Sequence, residues 1–150
     1  QPDAVSTAAD FTGKSCFLEM IDDEHLVDKP ERVTRLIFCS GKVYYDLRAY
    51  RDEHKLKNVA IIRIEQLYPF NSDRLKQIVQ RYPRANKKWV WCQEEPLNMG
   101  AWSYVGARLE KVSQHRVRYA GRDRSASPAA GSKAVHTREQ KNLVQAAFSV

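Results

Sequence analysis

Three short segments carry the residue types that chemistry needs. The first is Ser40-Gly41-Lys42. A small turn that ends a strand and opens a helix aims backbone N–H groups at an anion, and Lys42 adds a positive charge. It is not a Walker loop, because Leu36 stands where that pattern places its first glycine. A plain βα turn is the alternative to a phosphate or nucleotide site. The second segment is Gln93-Glu94-Glu95-Pro96. Adjacent carboxylates on an extended chain point to opposite sides, so they are not a ready acid/base pair. The geometry leaves one for a crevice and one for a basic partner. The third is Arg63-Ile64-Glu65-Gln66. Arg63 interrupts an apolar run, and a half-buried arginine requires an anionic partner. Glu65 and Glu94 are the candidates, with a ligand as the alternative. Ser40, Lys42, Arg63 and Gln93 together form the candidate anion or nucleotide site.

Other chemistries find little footing. His25, His54, His115 and His136 show no metal-ligand spacing to one another or to a cysteine. His136 stands just before a helix that Thr137 is expected to open, with Gln140 completing a capping box. There is no GxSxG elbow and no GxGxxG fingerprint. Cys16, Cys39 and Cys92 are odd in number and far apart. Cys39 and Cys92 each end an apolar run, which suggests buried free thiols and a reducing compartment. Trp89, Trp91, Trp102 and Tyr104 suit a core or an interface better than a base-stacking platform.

The elements that must position these residues form a regular series. Apolar β-rich runs at Val33 to Cys39, Asn58 to Ile64, Lys88 to Gln93 and Arg116 to Ala120 alternate with helical stripes. The stripes are Val43/Leu47/Tyr50, Leu75/Ile78/Val79/Tyr82, Trp102/Val105/Leu109/Val112 and Leu143/Val144/Ala147/Phe148. Cys16 to Met20 adds a short strand, expected as an antiparallel edge. This alternation predicts βαβ units in an α/β, three-layer sandwich around a mostly parallel sheet of about five strands. Residues 1–32 read as a lead-in with an edge strand, and residues 33–150 as the domain proper. The 150 residues suit one compact domain; no apolar run reaches the ~18 residues of a membrane span. The net charge of +7 suggests phosphates, acidic partners or nucleic acid, although the cations are interleaved with acids rather than gathered in a tail. There is no initiator methionine and no signal peptide pattern, so the chain is expected to be a piece of something longer.

Several segments also match a known family, in order and spacing: CSGKVYYDL (39–47), VAIIRIEQLYPF (59–70), WCQEEPLNMGAW (91–102), YAGRDRSASPAAG (119–131) and Val135-His136. They resemble the C-terminal domain of the thiamine-diphosphate-dependent first component of the 2-oxoglutarate dehydrogenase complex. Ala4-Val5-Ser6 resembles the family's lead-in more loosely. Met99 departs from the family pattern, which usually carries Gln there, and Asp123-Arg124 falls in a variable stretch. The resemblance implies the transketolase C-terminal fold. It implies a parent enzyme that decarboxylates 2-oxoglutarate on thiamine diphosphate with Mg²⁺ and passes the succinyl group to the lipoyl arm of a succinyltransferase. The diphosphate motif (Gly-Asp-Gly and a downstream Asn) is absent from this chain. The domain alone is therefore expected to bind no cofactor or metal and to be inactive. Its implied roles are dimerisation, contact with the other domains of the parent chain, and in some relatives nucleotide or acetyl-CoA-linked regulation. The implied compartment is the bacterial cytoplasm or the mitochondrial matrix. An exposed apolar interface patch, with Trp102 and Tyr104 contributing, is expected on the isolated domain. The competing reading is a stand-alone nucleotide- or nucleic-acid-binding α/β module.

Overall fold

The computed structural model describes residues 5–23 and 29–149. Five strands form one sheet: β1 (Met20–Ile21), β2 (Arg35–Cys39), β3 (Val59–Ile64), β4 (Trp89–Pro96) and β5 (Arg118–Arg122). Their spatial order is β1-β3-β2-β4-β5, with β1 antiparallel to β3 and every other pairing parallel. Helices α1 (Val43–Glu53), α2 (Ser72–Val79), α3 (Trp102–Ser113) and α4 (Lys133–Phe148) connect and flank the strands.

The strands are apolar on both sides because both faces are covered. Alternation assigns each residue to its layer. Leu36, Phe38, Ile62, Trp89 and Trp91 face α2 and α3, where Leu75, Ile78, Val105 and Leu109 complete one core. Ile37, Cys39, Ile61, Val90 and Cys92 face α1 and α4, against Val43, Leu47, Leu143 and Val144. The result is the three-layer α/β sandwich that the pattern predicts. The two cysteines of this second core are fully buried and free, while Cys16 is exposed.

Three boundaries differ from expectation. The edge strand is Met20–Ile21, not Cys16 to Met20: Phe17 and Leu18 are exposed, and only Met20 reaches the core. Strand β4 runs on to Pro96, because an irregular register lets Pro96 pair with Arg122. Helix α4 begins at Lys133 rather than Thr137. The Ser132 side chain accepts from the Val135 N–H at 3.2 Å and caps it, whereas Thr137 lies inside the helix and donates to the Lys133 carbonyl. A serine following Gly131 in extended conformation is the better cap. His25 and Ala4 lie outside the described residues.

The lead-in is fastened by charge. Asp23 and Arg51 form an ion pair that is almost completely buried, and Asp23 also accepts from the Ile61 N–H at 2.8 Å. Asp22 next to it accepts from Arg81 and, at 2.6 Å, from the Tyr82 hydroxyl. Burial and then that neighbouring carboxylate push the Tyr82 hydroxyl well above its ordinary range.

Candidate functional site

Strands β2 and β4 are neighbours, yet the chain leaving β2 enters α1 on one face and the chain leaving β4 enters α3 on the other. Loops that diverge in this way open a crevice beyond the carboxyl ends of the strands. Here it is a cleft of about 490 Å³. Ser40, Lys42, Gln93 and Glu94 line it, and Tyr68 and Tyr104 form its outer wall. Three of the four residues singled out from the sequence thus meet at one place. Arg63 does not join them. It lies on the α1 face of β3, with its guanidinium 4.8 Å from the centre of the Tyr44 ring. Its Nε donates to Glu65 Oε1 at 2.9 Å, so Glu65 rather than Glu94 is its partner.

Two of the cleft's charges are already engaged. Lys42 Nζ lies 2.5 Å from Glu94 Oε1, with the lysine 58% exposed. Glu95 also lines the cleft and is exposed. The Gly41 N–H, the donor a bound anion would use, points to Glu65 Oε1 at 3.4 Å. Glu65 therefore bridges the turn to Arg63. Gly41 takes a φ of +69°, a left-handed conformation that glycine adopts without strain. Lys42 and Arg63 are balanced one for one by Glu94 and Glu65.

Gln93 is 3% exposed and serves the loop that follows it. Its Oε1 accepts from Trp91 Nε1 at 2.9 Å and from the Trp102 backbone N–H at 3.0 Å. Its Nε2 donates to the Met99 carbonyl at 2.8 Å and, more weakly, to the carbonyls of Glu95 and Pro96. Trp102 is the first residue of α3, and its Ala101 cap has no side chain to satisfy that N–H. Gln93 caps α3 from a neighbouring strand. Gly100, at φ +67°, lets the loop close over it: a Cβ there would sit 3.0 Å from Gln93 Nε2.

The histidines are dispersed. His54 stacks on Tyr50, with 3.9 Å between ring centres. His136, on α4 rather than before it, bonds Arg122 at 2.9 Å through Nδ1, and His115 is exposed. Among the described residues, no group of three His, Cys, Asp or Glu side chains could hold a metal. Trp102 and Tyr104 are half-buried; the exposed large apolar side chains include Phe17, Leu18 and Tyr68. Arg108 lies 3.4 Å from the centre of the Tyr104 ring and holds that wall in place.

Sequence reasoning missed the Asp23–Arg51 pair and the role of Gln93. A polar residue ending a continuous apolar strand, just before a glycine loop, was the available signal for Gln93. Nothing local marks Asp23, whose partner lies 28 residues away.

Comparison with known proteins agrees with this geometry. A solved structure titled "Split gene transketolase, inactive beta4 tetramer" superposes with a TM-score of 0.57 over 77% of this chain and 38% of its own, at 13% identity. That likeness establishes the transketolase-like fold. The mitochondrial 2-oxoglutarate dehydrogenase of Dictyostelium discoideum is 40% identical over 96% of this chain, and the 2-oxoglutarate dehydrogenase E1 component of Coxiella burnetii is 50% identical over 81%. These relatives are enzymes, and this chain spans only 15% and 13% of their lengths. They lend no support to the stand-alone module. Among the described residues no helix is long and apolar enough to cross a membrane. The model of the 2-oxoglutarate dehydrogenase C-terminal family matches residues 5–148, and the chain belongs to that family.

Proposed function

We propose that the chain is the C-terminal part of a longer 2-oxoglutarate dehydrogenase subunit, where it supports dimerisation and shapes the subunit around an active centre built by other domains. The parent enzyme would oxidatively decarboxylate 2-oxoglutarate on thiamine diphosphate and Mg²⁺, then pass the succinyl group to the lipoyl arm of a succinyltransferase. The observation that carries this reading is the family match over residues 5–148. Relatives from mitochondria and from bacteria point to a matrix or cytoplasmic setting. Exposed Phe17, Leu18 and Tyr68 are the apolar side chains such contacts would cover.

The test uses the longer polypeptide that contains these residues, intact and lacking residues 33–150. The intact protein should sediment as a dimer and reduce an artificial electron acceptor only when 2-oxoglutarate, thiamine diphosphate and Mg²⁺ are present. The shortened one should lose both properties. An intact protein indifferent to 2-oxoglutarate would overturn the reading.

A regulatory anion site at Ser40, Lys42, Arg63 and Gln93 is a second proposal, supported by the crevice at the divergence of β2 and β4. Lys42 and the Gly41 N–H would receive the anion in exchange for Glu94 and Glu65. Arg63 would act through Glu65, and Gln93 through the loop it holds.

A further inference from the structure

The chain's ion pairs and its net charge do not coincide. Lys42, Arg51, Arg63, Lys76, Arg81 and Arg122 each have a carboxylate partner within reach. None of these residues lines the recess at the amino ends of β2, β4 and β5. There the parallel registers of β2, β4 and β5 bring Arg35, Lys87, Lys88, Arg116 and Arg118 around one recess of about 190 Å³. No Asp or Glu lines it. Glu110, near the end of α3, accepts from the Val117 N–H at 3.1 Å.

Two of the five cations have partial compensation. Arg35 donates to the Phe148 carbonyl, and Arg118 Nη2 donates to the carbonyls of Ala146 and Ser149 at 2.8 and 2.7 Å. These are carbonyl groups at the carboxyl end of α4, worth about half a negative charge in total. Arg35 is nearly buried, and its guanidinium is held below the ordinary range by burial and then by repulsion from Arg118. Lys87, Lys88 and Arg116 are exposed and have no ion pair among the described residues. Five cations with no ion pair among the described residues therefore gather at the end of the sheet opposite the cleft.

We propose that this amino-end recess is a docking surface for an acidic segment of a partner protein, recognised by Lys87, Lys88 and Arg116 at its rim and Arg35 and Arg118 at its base. Charge complementarity selects the partner's chemistry. A nucleic acid fits less well. Unstacked bases need an exposed aromatic face, and the one aromatic residue in the recess, Trp89, is 4% exposed with its indole N–H given to the Ala85 carbonyl. A second copy of this chain carries the same net charge of +7, so an acidic segment is the better complement to the recess.

The test is a titration of the protein with a peptide of alternating Glu and Asp, at low and at raised salt. A Gln/Asn peptide of equal length and a single-stranded oligonucleotide of equal charge serve as comparisons. Binding of the acidic peptide should shift the amide signals of Lys87, Lys88, Arg116 and Arg118, and weaken at least tenfold between 50 and about 300 mM salt. The triple reversal Lys87→Glu/Lys88→Glu/Arg116→Glu should abolish it. These side chains are exposed, so an unchanged melting temperature will show that the variant folds. Three results overturn the proposal: no binding at 50 mM salt, binding that survives the reversal, or tighter binding of the oligonucleotide than of the peptide.

Discussion

The side-chain oxygen of Gln93 accepts the backbone N–H of Trp102 at 3.0 Å, so a buried residue of a strand caps the helix that follows it. Both ends of the amide are in use, and the amide itself is buried. Gln93→Leu would leave the Trp102 N–H and the Trp91 indole N–H unpaired in the interior. An unsatisfied buried donor costs about 1–3 kcal/mol, so the expected loss is roughly 2–4 kcal/mol. Gln93→Glu keeps the acceptor but turns a carboxylate toward the carbonyls of Glu95, Pro96 and Met99, and should be at least as damaging. Urea unfolding measures the loss, and amide exchange at Trp102 locates it. An exchange rate unchanged in Gln93→Leu would show that the N–H has another partner.

How much of this was readable beforehand depends on distance along the chain. Strands and helices were legible because apolar spacing is local: VAIIRI announces a doubly covered strand without reference to its neighbours. The cleft was legible too, since βα turns of parallel strands gather at one end. Arg63 was misplaced because its β3 position faces α1, and which face a strand residue takes follows from register, not from its place near a strand end. The start of α4 was missed because Ser132 and Thr137 both carry cap-forming hydroxyls, and only backbone conformation chooses between them. Asp23 and Arg51 were invisible, as their pairing exists only once the lead-in has folded over α1 and β3.

That pair sets a second expectation. Arg51 is 4% and Asp23 1% exposed. Removing one partner strands the other charge in the interior, at a cost of about 3–5 kcal/mol. Asp23→Ala should therefore destabilise strongly and release the lead-in, seen as faster exchange at the Ile61 amide that Asp23 now holds. The double change Asp23→Leu/Arg51→Met removes both charges and should recover most of the loss. A double variant as unstable as Asp23→Ala would show that packing, not the stranded charge, sets the cost.

Stability should also fall in alkali. Burial, then the charge of Glu94, pushes the Cys92 thiol up to about 12, and burial followed by Cys92 raises the Cys39 thiol well above its ordinary value. A thiol whose pKa is raised in the folded state keeps its proton there while the unfolded chain loses it. The stabilisation is complete below the unfolded value near 9 and is lost as pH rises toward the folded value. Tyr119, raised to about 12 chiefly by burial, adds to the decline above pH ~10. Each such group contributes a slope of about 1.4 kcal/mol per pH unit. Unfolding free energies between pH 8 and 11 should decline, and Cys92→Ala should have the shallower slope whatever its stability at pH 8. Equal slopes would mean the thiol titrates alike in both states.

The cleft separates an anion site from a closed set of internal pairs. In the closed set, Glu94 and Glu65 stabilise the turn, and removing Glu94 merely frees an exposed lysine. If the turn receives anions, Glu94 competes with them, and Glu94→Gln should bind more tightly. One exposed pair is worth about 0.2–1 kcal/mol, so the gain should be roughly twofold to fivefold in Kd. Lys42→Ala should weaken binding, and the amides of Ser40 to Lys42 should shift when AMP or acetyl-CoA is added. Glu94→Gln leaves Gln93 and its loop untouched, so the effect reports on charge rather than on folding of α3. Silence at those three amides in both the native protein and Glu94→Gln would remove the anion site and leave the turn as a structural link between β2 and α1.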